Sequence, residues 1–235
     1  MKLTQKTLVA AMMMALGSGV AYADNSSRVV IDKDIEQKQN SNANGSQTMD
    51  LGNVTGTGTT DVLIQGKIEQ EMNNEVDQTI KIGNVTDGGT VGKGAPLLIK
   101  ESVTQKGEGK GTQTLTIGNA SNGGTVNDVS ISGAVLQSTT KDANVDQTMH
   151  IGNAGRGGNS NVSIAKDVTQ TSGATSGAGG GGRASQFMQI GYARHGKSDV
   201  IIKGAVTQEQ AAGSSGSQTM RVGNVTGGAG GAGGD

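Results

Sequence analysis

Twelve glutamines at fixed places in a repeat carry the most regular chemistry in this chain of 235 residues. Six fall in one motif, element A: SQTMDLGN (46 to 53), DQTIKIGN (77 to 84), TQTLTIGN (112 to 119), DQTMHIGN (146 to 153), SQFMQIGY (185 to 192) and SQTMRVGN (217 to 224). These are Gln47, Gln78, Gln113, Gln147, Gln186 and Gln218, spaced 31, 35, 34, 39 and 32 residues apart. The other six, Gln37, Gln70, Gln105, Gln137, Gln170 and Gln208, close element B: RVVIDKDIEQ, DVLIQGKIEQ, PLLIKESVTQ, DVSISGAVLQ, NVSIAKDVTQ and DVIIKGAVTQ. A primary amide carries two donors and a carbonyl acceptor, so burying a single one is a liability. Repeated at one level of strands stacked about 4.8 Å apart, such amides can bond one another along the stack. Asn53, Asn84, Asn119, Asn153 and Asn224 offer a further stack of the same chemistry.

Other chemistry is sparse. His150 falls at an outward position of element A and His195 in a loop, with no companion histidine and no GxSxG or HExxH, and a catalytic site needs several groups in mutual geometry. The sequence predicts no enzyme and no cofactor. Asp50, Lys81, Thr116, His150, Gln189 and Arg221 share one column, a mixture that predicts a solvent face. Calcium-binding glycine–aspartate coils need carboxylates at short period, whereas Asp87 and Asp235 are isolated, so no metal site is expected. Thr48, Thr79, Thr114, Thr148 and Thr219 form a column broken by Phe187, which reads as cross-strand pairing. The NVT and NAS triplets at Asn53, Asn84, Asn119 and Asn224 recur because the repeat recurs.

The elements that position these amides alternate with period two, the signature of strands. In element B one face carries Val62, Ile64, Gly66, Ile68 and Gln70; in element A it carries Gln78, Ile80, Ile82 and Asn84. Amides and apolar side chains therefore point the same way, and a slip of one residue would reverse both, which fixes register. The middle of element B (Lys33, Gly66, Glu101, Gly133, Lys166, Gly204) accepts charge, so a bend or solvent access is expected there. Short linkers join B to A and glycine-rich loops follow A, the longest at 171 to 185. Helix is a poor rival, because β-branched residues abound and glycine interrupts every element. The expected fold is all-β: an amyloid-like, two-sheet β-solenoid of six strand–turn–strand repeats over 24–224, followed by a glycine-rich tail at 225–235. Solenoids normally carry polar capping units; none is expected here, leaving both end coils open.

Composition agrees. Forty-one glycines, one proline and 1% aromatic residues cannot fill a conventional core, which leaves disorder or a thin repetitive β-structure. Residues 1–23 read as a secretory signal: Lys2 and Lys6 precede an apolar run from about Leu8 to Val20, with a cut after Ala23. No second apolar segment follows, so no membrane span is expected after its removal. Without cysteine there is neither a disulfide framework nor thiolate chemistry. The net charge of −1 becomes about −3 once the two signal lysines leave, and no basic patch points to nucleic acid.

In its export signal, its glutamine-bearing strand–turn–strand repeats, its lack of cysteine and its open ends, the chain resembles the curlin-type functional amyloid subunits of bacterial biofilm fibres, over about 28 to 224 and at the level of pattern. Curlin repeats are shorter, whereas here Gly52, Asn53 and their counterparts follow an apolar triplet. The resemblance implies an adhesive extracellular matrix fibre of identical subunits and makes the glutamines assembly residues. It also implies a nucleator subunit and an outer-membrane secretion pore as partners. The alternative from the same repeats is a monomeric secreted solenoid that acts as an adhesin or ligand-binding module.

Overall fold

A computed structural model of the chain describes residues 26–39, 45–72, 76–140, 145–173, 183–210 and 216–226. The expected signal at 1–23, the middle of the 171–185 loop, Asp235 and the tail from 227 lie outside the described residues. Those described contain strands and turns and no helix. Their sheets are parallel and stack coil on coil into a β-solenoid.

Element A supplies one strand per coil: Gly45–Leu51, Val76–Ile82, Gly111–Ile117, Val145–Ile151, Ala184–Ile190 and Gln218–Val222. They form a six-stranded sheet in chain order. The register sets Gln113 on Gln78, Gln147 on Gln113 and Met149 on Leu115. Element B supplies two strands, because its middle bends. Upstream halves such as Thr59–Ile64 and Ser160–Ile164 make one sheet, and downstream halves such as Ile68–Met72 and Val168–Ser172 make another.

The two elements run in opposite directions across a shared core. Thr60 Oγ1 donates to Gly52 O at 2.5 Å, while Gln70 Nε2 reaches Thr79 O at 3.3 Å. The upstream half of B thus faces the end of A, and the downstream half faces its beginning. The expected two layers are present, with the B layer divided at its bend. Gly66, Gly133 and Gly204 fit this bend by close approach: an added Cβ would stand 2.4, 2.2 and 2.4 Å from backbone of the preceding coil, well inside van der Waals contact. Coils with Lys33, Glu101 or Lys166 at the bend alternate with these glycine coils, and the charged side chains point to solvent.

Between the layers lies a thin core of one contiguous cluster that includes Ile64, Ile68, Ile80, Ile82, Leu115, Ile117, Met149 and Ile151, nearly all without exposure. Each such side chain contributes about 1.5–3 kcal/mol on burial, so stability grows coil by coil.

Element A ends at a glycine in the left-handed region, such as Gly118 (φ 59). After that turn the chain makes a fourth, narrow side where the sequence predicts only glycine-rich loop. Ala154–Arg156, Ala193–Arg194 and Val225–Thr226 form a short sheet, which bridges at Val54, Val85 and Ala120 extend through the earlier coils. Two or three residues are too few to show a period. The third coil also departs from the pattern. Its upstream strand is split into Thr90–Val91 and Leu97–Ile99, and Lys93 to Pro96 stand exposed between them.

Candidate functional site

The period-two pleat that sends Ile and Val inward sends the glutamines inward as well, one per strand, at the end of the core where the downstream half of B meets the start of A. Gln70, Gln78, Gln105, Gln113, Gln137, Gln147, Gln170 and Gln186 are all buried, none more than 2% exposed. In the B column, Nε2 of Gln70 donates to Oε1 of Gln37 at 2.9 Å and Gln105 to Gln70 at 2.9 Å. Gln137 donates to Gln105 at 2.8 Å, Gln170 to Gln137 at 2.8 Å and Gln208 to Gln170 at 2.7 Å. In the A column, Gln113 donates to Gln78 at 2.7 Å, Gln147 to Gln113 at 2.8 Å, Gln186 to Gln147 at 2.8 Å and Gln218 to Gln186 at 2.7 Å.

Both columns run one way: each amide nitrogen donates to the coil before it. The second amide hydrogen crosses between layers, as from Gln113 to Ser138 O at 3.1 Å and from Gln147 to Thr171 O at 3.0 Å. The first A rung differs. Gln78 Nε2 donates to Lys106 O at 2.9 Å, and the Gln47 carbonyl is buried without a partner.

The asparagines form a second kind of column, on the outer corner after each left-handed glycine. Asn53 Oδ1 accepts from both N and Nδ2 of Asn84 at 2.8 Å, and Asn84 Oδ1 accepts from N and Nδ2 of Asn119 at 3.0 and 2.9 Å. Asn153 N follows onto Asn119 Oδ1 at 2.9 Å. Tyr192 interrupts the side-chain column; its backbone N–H still donates to Asn153 Oδ1 at 2.9 Å. Asn224, beyond the interruption, is exposed. An open groove follows this corner, lined by Asn53, Val54, Asn84, Val85, Asn119 and Ala120.

The mixed-charge column is a solvent face only at its ends, contrary to expectation. Asp50, Lys81 and Arg221 are exposed, Thr116 and His150 are half-buried and Gln189 is buried. The Phe187 ring meets His150 edge-on, 5.3 Å between centroids, and Arg221 Cζ lies over the same ring, 5.7 Å from its centroid, as a cation–π contact. The single Thr→Phe change in the threonine column thus covers its diagonal neighbours. His150 Nε2 is buried without a partner, and desolvation holds the imidazole below its ordinary pKa. His195 lies in an exposed loop at φ 61. Among the described residues no cluster of three His, Cys, Asp or Glu could hold a metal.

The end coils differ from the inner ones. Val29, Ile31, Ile35 and Leu51 in the first coil, and Val200, Ile202, Val206 and Val222 in the last, occupy core positions yet are only partly buried. Gln37 and Gln208 are half-exposed and Gln218 is exposed. Val30 (51%), Ile201 (59%), Met220 (40%) and Val225 (47%) are the large exposed apolar side chains among the described residues, and all four lie in these coils.

No protein-family model, no curated protein and no solved structure matches this chain. What it does must be argued from its own geometry.

Proposed function

We propose that the chain is the structural subunit of an extracellular, self-assembling fibre of the kind found in biofilm matrix and adhesion, exported after loss of residues 1–23 and growing by templated end-to-end β-stacking. The observation that carries this reading is the state of the end coils. Their core side chains are half-open, and among the described residues the amide columns and backbone ladders that fill every inner coil reach them and stop. Unpaired strand edges beside exposed apolar rows favour addition of another strand, and a solenoid whose end surfaces differ adds head to tail without closing, which gives a filament. The curlin-type resemblance supports the same function, with a nucleator subunit and an outer-membrane pore as further partners.

The test uses the purified chain from residue 24. Sedimentation and fibre diffraction should show growth into filaments with a meridional reflection near 4.8 Å. A chain that stays monodisperse for days at high concentration overturns the reading. That outcome would favour a monomeric adhesin or ligand-binding module, whose binding surface would be the groove along the asparagine corner.

A further inference from the structure

We infer that the two ends of the solenoid are charge-matched to each other, so that copies stack last coil on first with the internal register continued and every charge of the last coil paired. The inference rests on the fibre reading and adds to it a polarity, a register and four named contacts.

The last coil, residues 198 to 226, carries four charged side chains: Asp199, Lys203, Glu209 and Arg221. All are exposed, and none makes an ion pair among the described residues. Nor does the coil beneath supply partners. Asp199 lies on Asn161, Glu209 on Thr171 and Arg221 on Gln189, and Lys203, next after the Ile164–Ile202 pair, lies on Ala165. Asp199, Lys203 and Glu209 thus have no charged partner or ring in the coil beneath, and Arg221 has only the Phe187 ring, 5.7 Å from its guanidinium carbon, which leaves its charge without a counter-charge.

Continuing the register by one step brings the first coil of the next copy onto them. The rows are defined by the element positions: Arg28 opens element B as Asp199 does, Asp32 occupies the place of Lys203, Lys38 follows Gln37 as Glu209 follows Gln208, and Asp50 stands third after Gln47 as Arg221 stands third after Gln218. The four pairs are Asp199 with Arg28, Lys203 with Asp32, Glu209 with Lys38 and Arg221 with Asp50. Each is of opposite sign, and no like charges meet. Three rows inside the molecule at this end are likewise of opposite sign, Arg28 on Asp61, Asp50 on Lys81 and Lys38 on Glu71; the one like pair, Glu36 on Glu69, is bridged by Lys38 and Lys67.

Four other rows continue through the same joint. Lys33 falls on Gly204, as Glu101 falls on Gly66 and Lys166 on Gly133, so the alternation at the bend is kept. Val30 and Ile201, the most exposed apolar side chains of the two ends, cover each other. The one-way amide columns carry on, with Gln37 and Gln47 donating to the carbonyls of Gln208 and Gln218. First coil on first coil would set the strands antiparallel and break those columns.

The test compares seeded elongation of the full mature chain with a variant inverted at the last coil (Asp199→Lys, Lys203→Asp, Glu209→Lys, Arg221→Asp); each position lies on a neutral residue of the coil beneath, and Arg221→Asp also gives up the Phe187 ring contact. At low ionic strength the inverted chain should elongate wild-type seeds roughly tenfold more slowly. The difference should close in about 1 M salt, where the Debye length is about 3 Å. Lys203→Asp and Asp32→Lys supply a milder pair, since both positions adjoin neutral residues, Ala165 and Gln65; Asp32→Lys gives up the hydrogen bond that Gln65 Nε2 donates to Asp32 Oδ1 at 2.5 Å, a loss common to the single and the double swap. Each alone should slow elongation, and the double swap should restore it. Fibres from all variants at equal rates, or a double swap no better than the singles, overturn the charge-matched joint and leave the fibre standing. Absence of fibres from the wild type overturns both.

Discussion

Gln137 Nε2 lies 2.9 Å from the carbonyl oxygen of Gln113, across the core from it, while the same nitrogen holds Gln105 in the coil below at 2.8 Å. One amide therefore ties coil to coil and layer to layer. Gln137→Leu keeps the volume but removes both bonds and strips Gln170 of its acceptor. An orphaned buried group costs about 1–3 kcal/mol, so we expect a loss of roughly 2–4 kcal/mol by urea unfolding. Gln208→Leu, at a half-exposed position, should cost under about 1 kcal/mol on the same grounds.

The corner glycines should separate into two classes. Gly118 combines φ 59 with an added Cβ only 2.4 Å from Val129 Cγ2, so Gly118→Ala meets both the left-handed penalty and overpacking, together roughly 2–4 kcal/mol. Gly157, at φ 81, has nothing within 4 Å of the added carbon. Gly157→Ala should therefore show the conformational penalty alone, about 1 kcal/mol. Equal denaturation midpoints for the two variants would remove the packing argument.

Stability should fall on mild acidification because of His150. Burial holds its folded-state pKa below the ordinary 6.5, so as pH drops the unfolded chain takes up the proton first and stability is lost progressively below about 6.5. Glu36 is shifted in the same direction, held below its ordinary 4.5 chiefly by the Lys67 hydrogen bond, so its contribution is lost only at lower pH. Unfolding between pH 8 and 5 should thus show a slope in the wild type that His150→Gln abolishes.

Fibre growth should depend on the end amides more than on the inner ones. Gln47→Ser and Gln218→Ser alter the strands that meet an incoming copy, whereas Gln113→Ser alters one already paired on both sides. Seeded elongation should slow several-fold more for the end variants. Equal slowing would count against templating at the ends.

Much of this architecture could be read before any coordinates, because its signal is repeated six times. The inward alternation of Gln78, Ile80 and Ile82 and the bend at Gly66 both follow from column identity. What escaped was whatever occurs once or spans too few residues. The strand around Ala154 is too short to alternate, and the insertion from Lys93 to Pro96 breaks a single coil. The burial of His150 depends on Phe187, a ring in the next coil that sequence spacing alone did not set against it. That Asp50 and Arg221 share a column is visible in the sequence, but only the burial of the coils between them shows that this column meets solvent at its two ends.

The alternation at the bend has an evolutionary corollary. Gly66, Gly133 and Gly204 each lie too close to the preceding coil for any side chain, and each follows a coil that carries one. Recombination that removed or duplicated a single repeat would set two bulky bends, or two glycines, in succession. Removing or adding repeats in pairs would keep the pattern and leave the outermost coils untouched. Descendants of this gene should therefore vary in length by double repeats, and an even repeat number should be their common inheritance.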